Sequence, residues 1–222
     1  MKRLGSVYGG CTRGVQRGVM TALLALLALV CLVALPAHAA ERTVLVMGDS
    51  LSAAYGLAPE QGWVALLADR LRSESPGWKV ANASISGETT AGGASRIAGE
   101  LARHQPEVVV IELGANDGLR GLDLAQTRAN LERMVTAAKD AGAQVLLLGM
   151  RIPPNYGPDY TRGFERNYTA LAEEHGVALL PFLLEPIAMD RDAFQADNLH
   201  PVAEAQPKLR DHVWPALAPL LD

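Results

Sequence analysis

Five short apolar runs, Thr43–Met47, Trp78–Asn82, Glu107–Leu113, Gln144–Met150 and Val177–Leu180, alternate with longer mixed segments along residues 40–222. In the mixed segments, apolar side chains recur at helical spacing: Trp63, Leu66, Leu67 and Leu71 in one, and Leu124, Leu131, Met134, Val135 and Ala138 in another. Strands alternating with helices predict a parallel sheet covered on both faces. Gly92-Gly93 reads as a flexible loop ahead of a helix. The stretch Ala203–Leu221 reads as a last helix whose continuity Pro207 and Pro215 interrupt.

Right-handed crossovers and this number of elements favour an α/β fold, a three-layer α/β/α sandwich with a flavodoxin-like five-stranded parallel sheet in the order 2-1-3-4-5. Ligands of such sheets sit beyond the carboxyl ends of the strands, where the strand order reverses, here between strands 1 and 3. Candidate chemical residues can therefore be judged first by position.

The first 39 residues break the pattern. Lys2, Arg3, Arg13 and Arg17 precede an apolar run from Val19 to Leu35, and Ala37-His38-Ala39 follows. That order is the mark of a secretory signal peptide with cleavage after Ala39, which predicts a periplasmic or secreted protein with no stable membrane span once the leader is gone. Cys11 and Cys31 both fall in the leader, so the mature chain is expected to carry no disulfide and no thiol nucleophile. The leader also holds four of the 20 basic residues and none of the 24 acidic ones, leaving 16 basic against 24 acidic, a net charge of −8. That acidity argues against nucleic-acid binding. Residues 40–222 read as a single domain, expected to work as a monomer.

Strand 1 ends in Gly48-Asp49-Ser50-Leu51-Ser52, strand 2 runs into Asn82 to Gly87, and strand 3 ends in Gly114-Ala115-Asn116-Asp117. All three reach the predicted active edge. Before the last helix, Asp197-Asn198-Leu199-His200-Pro201 adds an acid and a base three residues apart. That spacing lets Asp197 fix the His200 tautomer whose other nitrogen takes the Ser50 proton, without which a serine hydroxyl is a poor nucleophile. Attack on an acyl carbon needs oxyanion donors, and the Ser50 N–H, the Gly87 N–H and the Asn116 side-chain amide are available. Asp49 reads as a structural residue that bonds the turn backbone. The other histidines, His104, His175 and His212, fall on helices or at their ends. The loops after strands 3 and 4 hold Leu119, Ile152, Pro154 and Tyr156 as candidate substrate-binding residues, with Gly118 and Gly121 free to let Leu119 move.

In order, Gly48-Asp49-Ser50-Leu51, Gly87, Gly114-x-Asn116-Asp117 and Asp197-x-x-His200-Pro201 resemble the four chemical blocks of the GDSL, or SGNH, hydrolases, and within them the periplasmic multifunctional thioesterase, lysophospholipase and arylesterase group. The resemblance spans nearly all of residues 40–222. It implies Ser50 as nucleophile, Gly87 and Asn116 as oxyanion donors, Asp197 and His200 as orienter and base, and no metal or cofactor. It also implies hydrolysis of aryl esters, fatty acyl thioesters and lysophospholipids, small-molecule acyl substrates. Two departures from the family's common pattern stand out: Ala115 stands for a second glycine, and Asn198-Leu199 for Gly-Ile.

Rival readings stay open on sequence alone. They are a carbohydrate acetylesterase of the same family, an acyl-chain carrier with a vestigial triad, and a metal phosphoesterase built on Asp49, Asn116, Asp117, Asp197 and His200. The elbow of the α/β-hydrolases is disfavoured because Ser52 stands where it requires glycine.

Overall fold

β1 (Arg42–Gly48), β2 (Trp78–Asn82), β3 (Val108–Glu112), β4 (Gln144–Leu148) and β5 (Ala178–Leu180) form one parallel sheet in the order β2-β1-β3-β4-β5. The protein is described by a computed structural model over residues 41–222. The leader, its cleavage site and both cysteines lie outside the described residues. The strand order is the expected one, and it reverses between β1 and β3.

The sheet is covered on both faces. α1 (Trp63–Glu74) and α6 (Gln206–Leu217) pack together, while α2 (Thr90–His104), α4 (Leu124–Asp140) and α5 (Pro158–His175) form the other layer. Short α3 (Ala115–Leu119) follows β3 directly. Burial on both faces explains the unbroken apolar runs: Val44 to Met47 and Val108 to Ile111 are all fully buried. Trp63, Phe164 and Tyr168 are the bulkiest fully buried side chains, so the core continues from the sheet into α1 and α5.

Three local expectations are revised. Gly92 and Gly93 belong to α2 itself, capped by the Thr89 hydroxyl, which accepts the Gly92 N–H. A Cβ on Gly93 would meet Leu113 Cδ1 at 2.4 Å and Met134 Sδ at 2.9 Å, so glycine serves close packing there rather than loop flexibility. Gly118 is likewise buried inside α3, where a Cβ would strike Ile152 at 2.6 Å and Phe164 at 2.9 Å. The last stretch divides into a 3-10 turn (Ala203–Ala205), α6 and a second 3-10 turn (Ala218–Leu220). Pro207 sits in the first turn of α6, where a missing N–H costs nothing, and Pro215 stands inside the helix near its end. Among the described residues, no helix is long and apolar enough to cross a membrane.

Candidate active site

Ser50 lies in the turn that follows β1. Asp49 shapes that turn, its Oδ1 accepting the Leu51 N–H at 3.0 Å while Ala53 N–H donates to Asp49 O at 2.9 Å. On the far side of the sequence, an antiparallel bridge between Phe194 and Pro201 pinches off the loop that carries Asp197 and His200. Gln195 N–H donates to His200 O at 2.8 Å and Val202 N–H to Ala193 O at 2.9 Å, which fixes the loop's two ends together. Asn198 takes φ 56°, a left-handed conformation in which asparagine is the best tolerated residue after glycine; this accounts for the departure at that position.

The loop brings His200 Nε2 to 2.8 Å from Ser50 Oγ and His200 Nδ1 to 2.6 Å from Asp197 Oδ2. An ionised carboxylate can only accept, so Nδ1 carries the proton and Nε2 is left to accept from the serine hydroxyl. Asp197 also accepts the Leu199 and His200 backbone N–H groups at 2.9 and 3.0 Å. The His200 ring and these N–H groups hold its carboxyl at about 2, below the usual carboxylate range.

Gly87, at φ 78°, holds a backbone turn that glycine adopts without strain. Among the described residues, neither the Ser50 nor the Gly87 N–H has a protein acceptor. Asn116 lines the same cavity, but both its amide hydrogens are engaged: Nδ2 donates to Asp49 Oδ2 and to Glu88 O, each at 3.0 Å. The three predicted donors are therefore brought to one cavity, two unpaired and one occupied.

Behind Ser50 lies a pair of carboxylates that sequence reasoning did not single out as a pair. The β1–β3 register sets Glu112 beside Gly48, and Glu112 Oε2 accepts from Ser52 Oγ at 2.7 Å and from Asp49 N–H at 3.3 Å. Glu112 is 0% exposed, and its Oε1 has no partner among the described residues. Burial, and then the neighbouring Asp49 charge, push its carboxyl well above the ordinary value. Burial also pushes Asp49 up to about 6, against the lowering influence of the Leu51 N–H and the Asn116 amide. Asp117, also buried, accepts from Thr90 N–H at 2.9 Å and from the Thr90 hydroxyl, tying the start of α2 to α3. Among the described residues, no three His, Cys, Asp or Glu side chains gather as metal ligands do.

Ser50 and His200 open onto a cavity of about 370 Å³ whose wall includes Leu119, Met150, Ile152, Phe182, Leu184 and Phe194. Leu119 and Ile152 were expected there. Pro154 and Tyr156 are not on the wall, since Pro153 takes that place and the chain turns away in a 3-10 turn (Pro154–Tyr156). Tyr156 instead donates its hydroxyl to Leu119 O at 2.7 Å, tethering the segment that Leu119 belongs to. Phe182, Leu184 and Phe194 went unnoticed as wall residues, although the apolar Phe182-Leu183-Leu184 that follows β5 and Pro181 was a signal for the first two.

Residues 46–206 match the family model described as GDSL-like Lipase/Acylhydrolase family. The chain is 52% identical over 187 residues to Esterase TesA of Pseudomonas aeruginosa, covering 84% of this chain and 93% of that protein. It is 42% identical over 184 residues to the thioesterase 1/protease 1/lysophospholipase L1 of Escherichia coli strain K12, covering 83% of this chain and 87% of that protein. The crystal structure of the psychrotrophic esterase EstA from Pseudoalteromonas sp., inhibited by monoethylphosphonate, is 42% identical with a TM-score of 0.78, covering 81% of this chain and 98% of that one. With the sheet order and the ordered motifs, these matches establish that the chain belongs to the GDSL-like lipase/acylhydrolase family and is a carboxylic ester hydrolase.

Proposed function

We propose that Ser50 is the nucleophile of an acyl-transfer cycle, with His200 as general base and acid and Asp197 as its orienter. The observation that carries this reading is the continuous chain from Ser50 Oγ through His200 to Asp197, at 2.8 and 2.6 Å, placed at the mouth of an apolar cavity. Ser50 Oγ attacks the acyl carbon while Nε2 takes its proton. The oxyanion is received by the Ser50 and Gly87 N–H groups, and Asn116 joins them by releasing one amide hydrogen from Glu88 O or Asp49. Collapse expels the alcohol or thiol, which takes the proton from Nε2. Water, deprotonated by His200 Nε2, then attacks the acyl-enzyme; the carboxylic acid leaves as Nε2 returns the proton to Ser50 Oγ.

The substrates in this reading are esters and thioesters with apolar acyl groups: aryl esters, fatty acyl thioesters and lysophospholipids. The apolar wall supports this, as does the thioesterase and lysophospholipase name of one relative. In this reading the enzyme acts as a monomer. Residues 1–39 are a leader removed on export to the periplasm or medium, leaving residues 40–222 as the single hydrolase domain; N-terminal sequencing of the exported protein should begin at Ala40, and a retained Met1 would contradict it.

A panel of p-nitrophenyl esters of graded chain length, with palmitoyl-CoA and a lysophospholipid beside it, tests the substrate class. Turnover should rise beyond acetate and be lost throughout in Ser50→Ala. Turnover confined to acetate would point to an acetylesterase instead.

A further inference from the structure

The segment that carries the nucleophile turns back and meets the base a second time. Tyr55 N–H donates to Ser50 O at 3.2 Å, and the Tyr55 ring rests against the His200 imidazole with centroids 4.4 Å apart and planes inclined by 39°. The backbone here is strained, because Ala54 takes φ 56°, a conformation that a residue with a side chain keeps only where its surroundings hold it.

Gln195 supplies the hold. Its side-chain Nε2 donates to Tyr55 O at 2.9 Å and to Pro201 O at 3.1 Å, while its backbone N–H donates to His200 O at 2.8 Å. A Cβ on Gly56 would come within 2.3 Å of Gln195 Oε1, so the amide is fitted closely against the Tyr55 turn. One side chain thus joins the loop of the nucleophile to the loop of the base across 140 positions of sequence. Tyr55 as a residue is 51% exposed, which is too open for its place to be explained by core packing.

We propose that Tyr55 and Gln195 are positioning residues, a clamp that keeps the His200 imidazole within hydrogen-bond reach of Ser50. Gln195 sets the distance between the two loops. The Tyr55 ring confines the imidazole and offers its face to the imidazolium that forms as Ser50 loses its proton. This rests on the reading of Ser50 as nucleophile and His200 as base.

Tyr55 also lines the cavity, so the test must separate a wall from a clamp. Diethyl p-nitrophenyl phosphate does so because it is small and leaves the acyl wall unused. In the labelling step the Ser50 Oγ–P bond forms, the P–O(aryl) bond breaks, the Oγ proton goes to His200 and p-nitrophenolate is released and counted.

Tyr55→Ala should lower the second-order labelling rate by between about 10- and 100-fold, the scale of a small misplacement of a catalytic group. Gln195→Ala should lower it by about tenfold on the same ground. Tyr55→Phe, which keeps the ring, should restore the rate to within about threefold of the parent. Because both residues serve one device, the double variant should lose much less than the product of the two single losses.

Ser50→Ala should release no phenolate; release from that variant would refute the nucleophile assignment rather than the clamp. If Ser50→Ala is silent but Tyr55→Ala loses less than about tenfold, the clamp is overturned. A KM for long acyl esters that rises in Tyr55→Ala with an unchanged labelling rate would reduce Tyr55 to cavity wall. Fully multiplicative losses in the double variant would overturn the single device.

Discussion

Asp49 and Asp197 flank the nucleophile and base, one residue before Ser50 and three before His200, and their chemistry runs in opposite directions. Asp49 is 1% exposed, and burial pushes its carboxyl up to about 6. Asp197 has a side chain 38% exposed, and its bonds to His200 hold it at about 2. One acid sits on the edge of ionisation and grips the Asn116 amide. The other stays charged at any working pH and fixes a tautomer. Identical side chains thus acquire different work from solvent access and the number of donors facing them.

The largest effect expected from breaking this contrast comes from Asp197. Asp197→Asn should lower kcat by roughly 10³–10⁴-fold, the scale seen when a triad acid loses its charge, with KM nearly unchanged. A loss below tenfold would remove Asp197 from the role of orienter.

Next comes Asn116, held by Asp49 until it is needed. Asn116→Ala should cost roughly 10²–10³-fold in kcat if its amide reaches the oxyanion. A much smaller loss would mean that the amide stays on Asp49 and Glu88 throughout the cycle.

The smallest effect concerns stability. With its folded value raised, Asp49 contributes stability that is fully present below its ordinary value of 3.8 and is lost as pH rises through about 6. Asp197, with its value lowered, does the reverse: its contribution is present above 3.8 and lost as pH falls towards about 2. The Tm of Asp49→Asn relative to the parent should therefore fall by a few degrees between pH 7 and pH 4. A difference that stays flat over that interval would show that Asp49 titrates normally.

The sequence discloses those features whose causes are local. Strand runs were legible because burial on both faces leaves an unbroken apolar string, though Gln144–Met150 overshoots β4. There Gly149 N–H turns to Leu180 O and Gly149 O accepts the Leu183 N–H, so the chain bends and Met150 is turned into the cavity wall. The acid and base were legible because three residues of loop suffice to join them. Glu112 depended on the register of β1 against β3, with a charged residue in the otherwise apolar Val108–Glu112 run as the one available sign. Gln195 had no local sign at all, since its meaning lies in the Tyr55 carbonyl of a distant loop. Pro154 and Tyr156 were placed by loop identity alone, and a 3-10 turn carries them off the wall.

The central claim is that a single hydroxyl, Ser50 Oγ, takes the acyl group. Peptide mapping by mass spectrometry after treatment with a serine-directed phosphonate tests it most directly. The adduct should appear on the peptide containing Ser50, and Ser50→Ala should stay unmodified and inactive. An adduct on another residue, or turnover retained by Ser50→Ala, would contradict the account.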